Sequence, residues 1–137
     1  MSAEATTQAV VAYLDAINAG DAARAVELVA EDFVNEHTSS LGNSLRGRVA
    51  YGERLPRFLE EFRGLHYEVE DLIVSGERAA AAYTMRFEWT APTGTVHPVT
   101  IRGMFRFRVI DGHIAHRVDY WDGTDFQRQI SGATAAP

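Results

Sequence analysis

The chain has 137 residues, 46% of them hydrophobic and 23% charged, which fits one soluble globular domain with a real core and excludes a disordered or fibrous chain. It has no cysteine, and all 13 of its basic residues are arginine, so disulfides, thiolate nucleophiles, cysteine metal sites, Schiff-base catalysis and a phosphate-loop lysine are ruled out. A net charge of −6 argues against nucleic acid and for a small-molecule partner, while the lack of a ~18-residue apolar run or a signal-peptide pattern makes the cytoplasm the expected location, with no membrane association.

In chain order, Val10, Tyr13, Leu14 and Ile17 recur at helical spacing, with Gly20 as a stop. Asp21 then caps a second helix whose apolar stripe is Ala22, Ala25, Val26 and Val29. Residues 33–37 read as a short strand and 38–47 as a polar loop. A third helix spans 49–62, with Leu55, Phe58, Leu59 and Phe62 inward and Pro56 either kinking it or starting its main part. Four strands follow in a meander from Leu65, turning at Ser75-Gly76, Pro92-Thr93-Gly94 and Asp111-Gly112. The expected order is ααβαββββ, an α+β domain over residues 1–130 with a frayed tail over 131–137.

Strand alternation sorts the side chains before any role is assigned. Tyr83, Met85, Phe87 and Trp89 share one face, opposite Thr84, Arg86 and Glu88. Val99, Ile101, Gly103, Phe105 and Phe107 oppose Thr100, Arg102, Arg106 and Arg108. The aromatic face is the core face and the arginines face outward. On the last strand His116, Val118 and Tyr120 oppose Ala115, Arg117, Asp119 and Trp121; neither face is purely apolar, so something polar is buried on one side.

Three segments carry a resemblance: AYLDAINAGDAARAVELVAEDFVNEH (12–37), AAAAYTMRFEW (79–89) and RGMFRFRVIDGHIAHRVDYWD (102–122). They are similar to the nuclear-transport-factor-two-like superfamily, above all to ketosteroid isomerases, limonene epoxide hydrolases and SnoaL-like polyketide cyclases. The resemblance implies a cone-shaped, curved, largely antiparallel mixed sheet wrapped by three N-terminal helices, and a homodimer paired through the outer sheet face. Against the isomerases, whose aspartate base works with a tyrosine and a protonated aspartic acid, Tyr13 stands in the tyrosine's place, His37 in that of the base and Gly103 in that of the second acid. Against the epoxide hydrolases, Asp119 matches one acid, Arg86 with Glu88 resembles the rest of the acid–arginine–acid set, and Asn35 and His37 replace the water-positioning tyrosine and asparagine. The cyclase pattern, a late-strand aspartate assisted by histidine without a cofactor, suits Asp119 and His37.

The expected function is therefore cofactor-independent acid/base chemistry, of isomerase, cyclase or lyase type, on a hydrophobic carbonyl, polyketide-like or steroid-like molecule. Asp119 would move the proton, His37 would be the partner base and Tyr13 would stabilise an enolate-like oxygen. Asn35, Phe58, Phe62, Met85, Phe87, Ile101, Gly103, Arg117 and Trp121 would form the substrate pocket. No metal is expected, because His113 and His116 differ in strand parity and no H-E-x-x-H helix occurs. Two alternatives stand: an epoxide hydrolase of the limonene type, and a non-catalytic ligand-binding or dimerisation module in which Asp119 is tied to Arg117 as an ion pair.

Overall fold

Ser2 opens the first helix by accepting a hydrogen bond from the Ala5 N–H, and Gly20, at φ 71°, lets the chain leave it in a left-handed turn. The computed structural model describes residues 2–131. Of the expected tail, residues 132–137 lie outside the described residues. The elements are α1 (Ala3–Asn18), α2 (Ala22–Glu27), β1 (Val29–His37), β2 (Leu45–Arg46), α3 (Arg48–Glu61), β3 (Phe62–Ser75), β4 (Arg78–Thr90), β5 (Val96–Ile110), β6 (His113–Tyr120) and α4 (Gly123–Ile130).

The six strands form one open mixed sheet in the order β2-β1-β6-β5-β4-β3. All neighbours are antiparallel except β1 and β6, which run parallel with Asn35 opposite Arg117 and His37 opposite Asp119. Register shifts in β3 against β4, β5 against β6 and β1 against β6 bend the sheet, as an extra residue in one strand does. The α+β cone is the expected one, and its core is the predicted face: Tyr83, Met85, Phe87, Val99, Ile101, Phe105 and Phe107 are all buried. α1 lies across this face, burying Val10, Tyr13, Leu14 and Ile17.

Three details depart from the sequence expectation. Val29 leaves the α2 stripe and starts β1, because α2 ends after six residues. The polar loop contains a two-residue strand, β2, so the sheet has six strands rather than five. A fourth helix, α4, follows the last strand: the Asp122 carboxylate accepts from the N–H groups of Thr124 and Asp125, and the Gln129 amide satisfies the N–H (2.9 Å) and carbonyl (2.7 Å) of Thr100. β6 ends at Tyr120 opposite Met104, so α4 covers the stretch of β5 edge that β6 leaves unpaired. Pro56 lies inside α3 without dividing it. No helix among the described residues is long and apolar enough to cross a membrane.

Candidate active site

β6 and the residue after it bring Arg117, Asp119 and Trp121 to the concave face of the sheet. Asp119 is only 4% exposed. The Tyr83 hydroxyl, on β4, donates to its Oδ1 at 2.5 Å. His37 Nδ1, from the end of β1, lies 3.7 Å from Oδ2, too far for a hydrogen bond. Burial pushes the Asp119 carboxyl up to about 6, against the opposing pull of the Arg117 charge and the Tyr83 hydrogen bond. No buried side-chain nitrogen or oxygen among the described residues lacks a partner. Oδ2, which has no hydrogen-bond donor among those residues, is therefore open to the cavity.

Arg117 is also buried, at 7% exposure, yet it does not tie up Asp119. Its Nε and Nη2 donate to Asn35 Oδ1 at 3.2 and 2.7 Å, and Nη1 donates to the Tyr13 hydroxyl at 2.8 Å. Tyr13 in turn shares a 2.5 Å hydrogen bond with the Tyr51 hydroxyl of α3. The guanidinium carbon lies 5.0 Å from the Phe105 ring centroid, within cation–π range. Desolvation opposes the charge on Arg117, but the tyrosines and Asp119 around it outweigh that loss and keep it protonated. The expected alternative of an Arg117–Asp119 ion pair is thus replaced by a fixed cation held through Asn35 and Tyr13.

His37 is neutral: burial first, then the charges of Arg117 and Arg54, lower it to about 3. The Trp121 indole N–H, which can only donate, reaches His37 Nδ1 at 3.3 Å. The ring proton therefore sits on Nε2, and Nε2, without a protein partner among the described residues, is open to the cavity. Gly42 lies so close to this ring that a Cβ there would sit 2.4 Å from His37 Cβ. Only glycine lets the loop after β1 close over the imidazole.

These groups border a cavity of about 820 Å³. Asn35, His37, Phe58, Phe62, Met85, Phe87, Ile101, Arg117, Asp119 and Trp121, all expected from the sequence, lie on its wall. Two expected residues do not. Tyr13 is fully buried, with its hydroxyl held by the Arg117 guanidinium, which itself lines the cavity. Gly103 stands behind Tyr83: a Cβ there would be 2.5 Å from the Tyr83 hydroxyl, so the tyrosine fills the space a side chain at 103 would take. Arg86 and Glu88 are exposed on the outer face, where Arg86 pairs with Glu68 at 3.3 Å; the bulge lies in β3 opposite them and does not turn them inward. His116 likewise faces outward, to Glu36 at 3.1 Å.

The sequence reading missed Tyr67, Tyr83 and Phe126. Tyr67, on β3, lines the cavity, and burial first and then the Asp119 charge push its phenol above the ordinary range, so it stays a neutral O–H. That hydroxyl has no protein partner among the described residues and is open to the cavity. Alternation along β3 carried its signal, since Leu65 and Tyr67 are both buried on one face. Phe126, from α4, packs against Phe62, Phe87, Trp89 and Trp121 at centroid distances of 5.9–6.3 Å, and completes the apolar wall.

The sequence profile of the SnoaL-like domain matches residues 10–117. Among solved structures, the fold is similar to a protein provisionally assigned as a SnoaL-like polyketide cyclase from Shewanella denitrificans OS-217 (TM-score 0.83, 14% identity, 93% of this chain and 97% of that one). It is also similar to a provisionally assigned polyketide cyclase from Xanthomonas campestris pv. campestris (TM-score 0.78, 25% identity, 93% and 97%). An LEH-like epoxide hydrolase from M. tuberculosis matches with TM-score 0.79 at 22% identity, over 97% of this chain and 95% of that one. No curated protein matches the chain.

Proposed function

The chain belongs to the SnoaL-like domain family, and from that premise we propose that it is a cofactor-independent acid/base enzyme acting on a hydrophobic carbonyl compound. The observation that carries this reading is the Asp119 carboxylate: buried, not paired to Arg117, and with Oδ2 open to an aromatic-walled cavity. A carboxyl near 6 is mostly ionised at neutral pH and still basic enough to take a proton from carbon. Tyr83 fixes its orientation.

In the proposed step Oδ2 removes a proton from the carbon next to the substrate carbonyl. The electron pair moves into an enolate whose oxygen accepts from the Tyr67 O–H and from His37 Nε2–H. A neutral imidazole is a suitable donor here, because it stabilises the oxygen without giving up its proton. Arg117 supplies a fixed positive charge beneath the site. Asp119, now protonated, returns the proton to a different carbon in an isomerisation, or to the oxygen formed when the enolate closes a ring. His37 and Tyr13 thus change roles: His37 donates instead of acting as partner base, and Tyr13 holds Arg117 in place.

Epoxide opening by an acid–arginine–acid set has no support from Arg86 and Glu88, which lie on the opposite face of the sheet. The test is hydrogen–deuterium exchange of the α-protons of a hydrophobic ketone such as 2-tetralone in D2O, followed by NMR. The protein should speed exchange, and Asp119→Asn should reduce the enzymatic part by about 10²–10⁴-fold. No acceleration by the wild-type chain would leave the ligand-binding module in possession. We also propose that two copies pair through the outer sheet face; sedimentation as a monomer at micromolar concentration would count against that.

A further inference from the structure

The cavity has a second polar region, at its mouth. Along α3, Tyr51, Arg54, Phe58 and Glu61 follow one another at helical spacing, so one stripe of the helix faces the cavity; Arg57 lies beside it and also lines the opening. Arg54 is half-buried, and its Nη1 donates to the Asn43 carbonyl at 2.9 Å, which fixes the guanidinium. Its remaining N–H groups have no acceptor among the described residues. Neither Arg54 nor Arg57 has a carboxylate within ion-pair distance among those residues, whereas Arg86, Arg102 and Arg108 on the outer face each have one.

The charge balance points the same way. The chain as a whole carries −6, yet the cavity is lined by three arginines, Arg54, Arg57 and Arg117, against two carboxylates, Glu61 and Asp119. A concave site of opposite sign to its protein draws in anions. Much of the rest of the wall is aromatic and aliphatic, with Leu55, Phe58, Phe62, Phe87 and Trp121.

We infer that the substrate is an amphiphilic acid, an apolar ring system whose carboxylate is held by Arg54 at the cavity mouth while its carbonyl end reaches Asp119. This rests on the acid/base reading above, whose substrate class it specifies. Guanidinium and carboxylate match in geometry, and a partly desolvated pair of this kind is stronger than a neutral hydrogen bond.

Titration calorimetry with 2-naphthoate and its uncharged isostere 2-naphthamide tests this at pH 8. Wild-type protein should bind the acid about tenfold more tightly, the size expected of one charge-assisted contact. Arg54→Gln should abolish that preference while leaving amide binding within about twofold, and Arg54→Lys should retain part of it. Equal wild-type affinity for the two compounds, a preference that survives Arg54→Gln, or equal loss of both ligands would overturn the inference. Binding needs no turnover, so the anion site and the acid/base role of Asp119 can fail separately.

Discussion

Replacing Asp119 by asparagine should stabilise the chain in alkaline solution while removing the proton transfer proposed for it. The carboxyl titrates near 6 in the folded chain and at its ordinary 3.8 once unfolded. Between those values the folded state binds the extra proton, so stability falls as pH rises through this window. Integrating the two titrations gives a penalty of about 0.5 kcal/mol at pH 4 and about 3 kcal/mol at pH 8. Asparagine has no proton to lose, nearly the same shape, and an amide oxygen that still accepts from Tyr83. The stability of Asp119→Asn relative to wild type should therefore improve by about 2.5 kcal/mol between pH 4 and pH 8. His37, lowered to about 3 when folded, is almost wholly neutral across this window even with the Asp119 carboxylate 3.7 Å away, and losing that anion can only keep it so; its titration is common to both chains and drops out. Urea unfolding followed by tryptophan fluorescence measures the difference. A relative stability that does not change with pH would mean that Asp119 is not desolvated, and the argument for its basicity would fall with it.

Arg117→Met removes the charge that holds the Asp119 carboxyl down, so the acid limb of the pH–rate profile, or the carboxyl titration seen by NMR, should move above 6. Gly103→Ala places a Cβ 2.5 Å from the Tyr83 hydroxyl and 2.7 Å from the Tyr120 carbonyl; it should cost about 1–3 kcal/mol in thermal or urea unfolding, with a loss of kcat from misplacing Asp119. His37 titrates near 3 when folded and at 6.5 when unfolded, so it withdraws stability as pH falls below 6.5. His37→Gln should remove about 3 kcal/mol of the loss between pH 7.5 and pH 4.5, read as a flatter acid side of the stability curve.

Where the sequence was legible, the signal was periodic and local. Alternation placed Tyr83, Met85 and Phe87 inward and Arg86 and Glu88 outward, and the Asp111-Gly112 turn needed only two residues, both at positive φ. α4 was missed because it is only eight residues long and Phe126 and Ile130 are its large apolar side chains. Its clearest mark was the Asp122 cap. The site was half legible. Asp119, His37 and Trp121 share parity or strand ends that point into the cone, but that Tyr67 and not Tyr13 lines the cavity turned on depth. Arg117 lines the cavity and holds the Tyr13 hydroxyl, a fact of three-dimensional packing that no spacing encodes. The same holds for the partners of Arg117: Asp119 is two residues away in sequence, whereas Asn35 and Tyr13, which it binds, are 82 and 104 residues away.

Those separations bear on the order in which the protein is built. The β3–β4–β5 meander can zip up from its turns, each strand closing on the one just made. β1 and β6 have no such shortcut: they are neighbours only across most of the chain, and closing a loop of that length carries an entropic cost before any contact offsets it. The parallel pairing that sets His37 beside Asp119 is thus expected to be the slow step of assembly, with the hydrophobic walls forming earlier. In refolding experiments, ligand-binding competence at the Asp119 end of the cavity should then lag behind the recovery of strand signal in circular dichroism, and simultaneous recovery would contradict this order. A ribosome that has not yet released the last strand would hold a folded hydrophobic cup without Asp119, so the proton transfer proposed above would have to wait until β6 is in place.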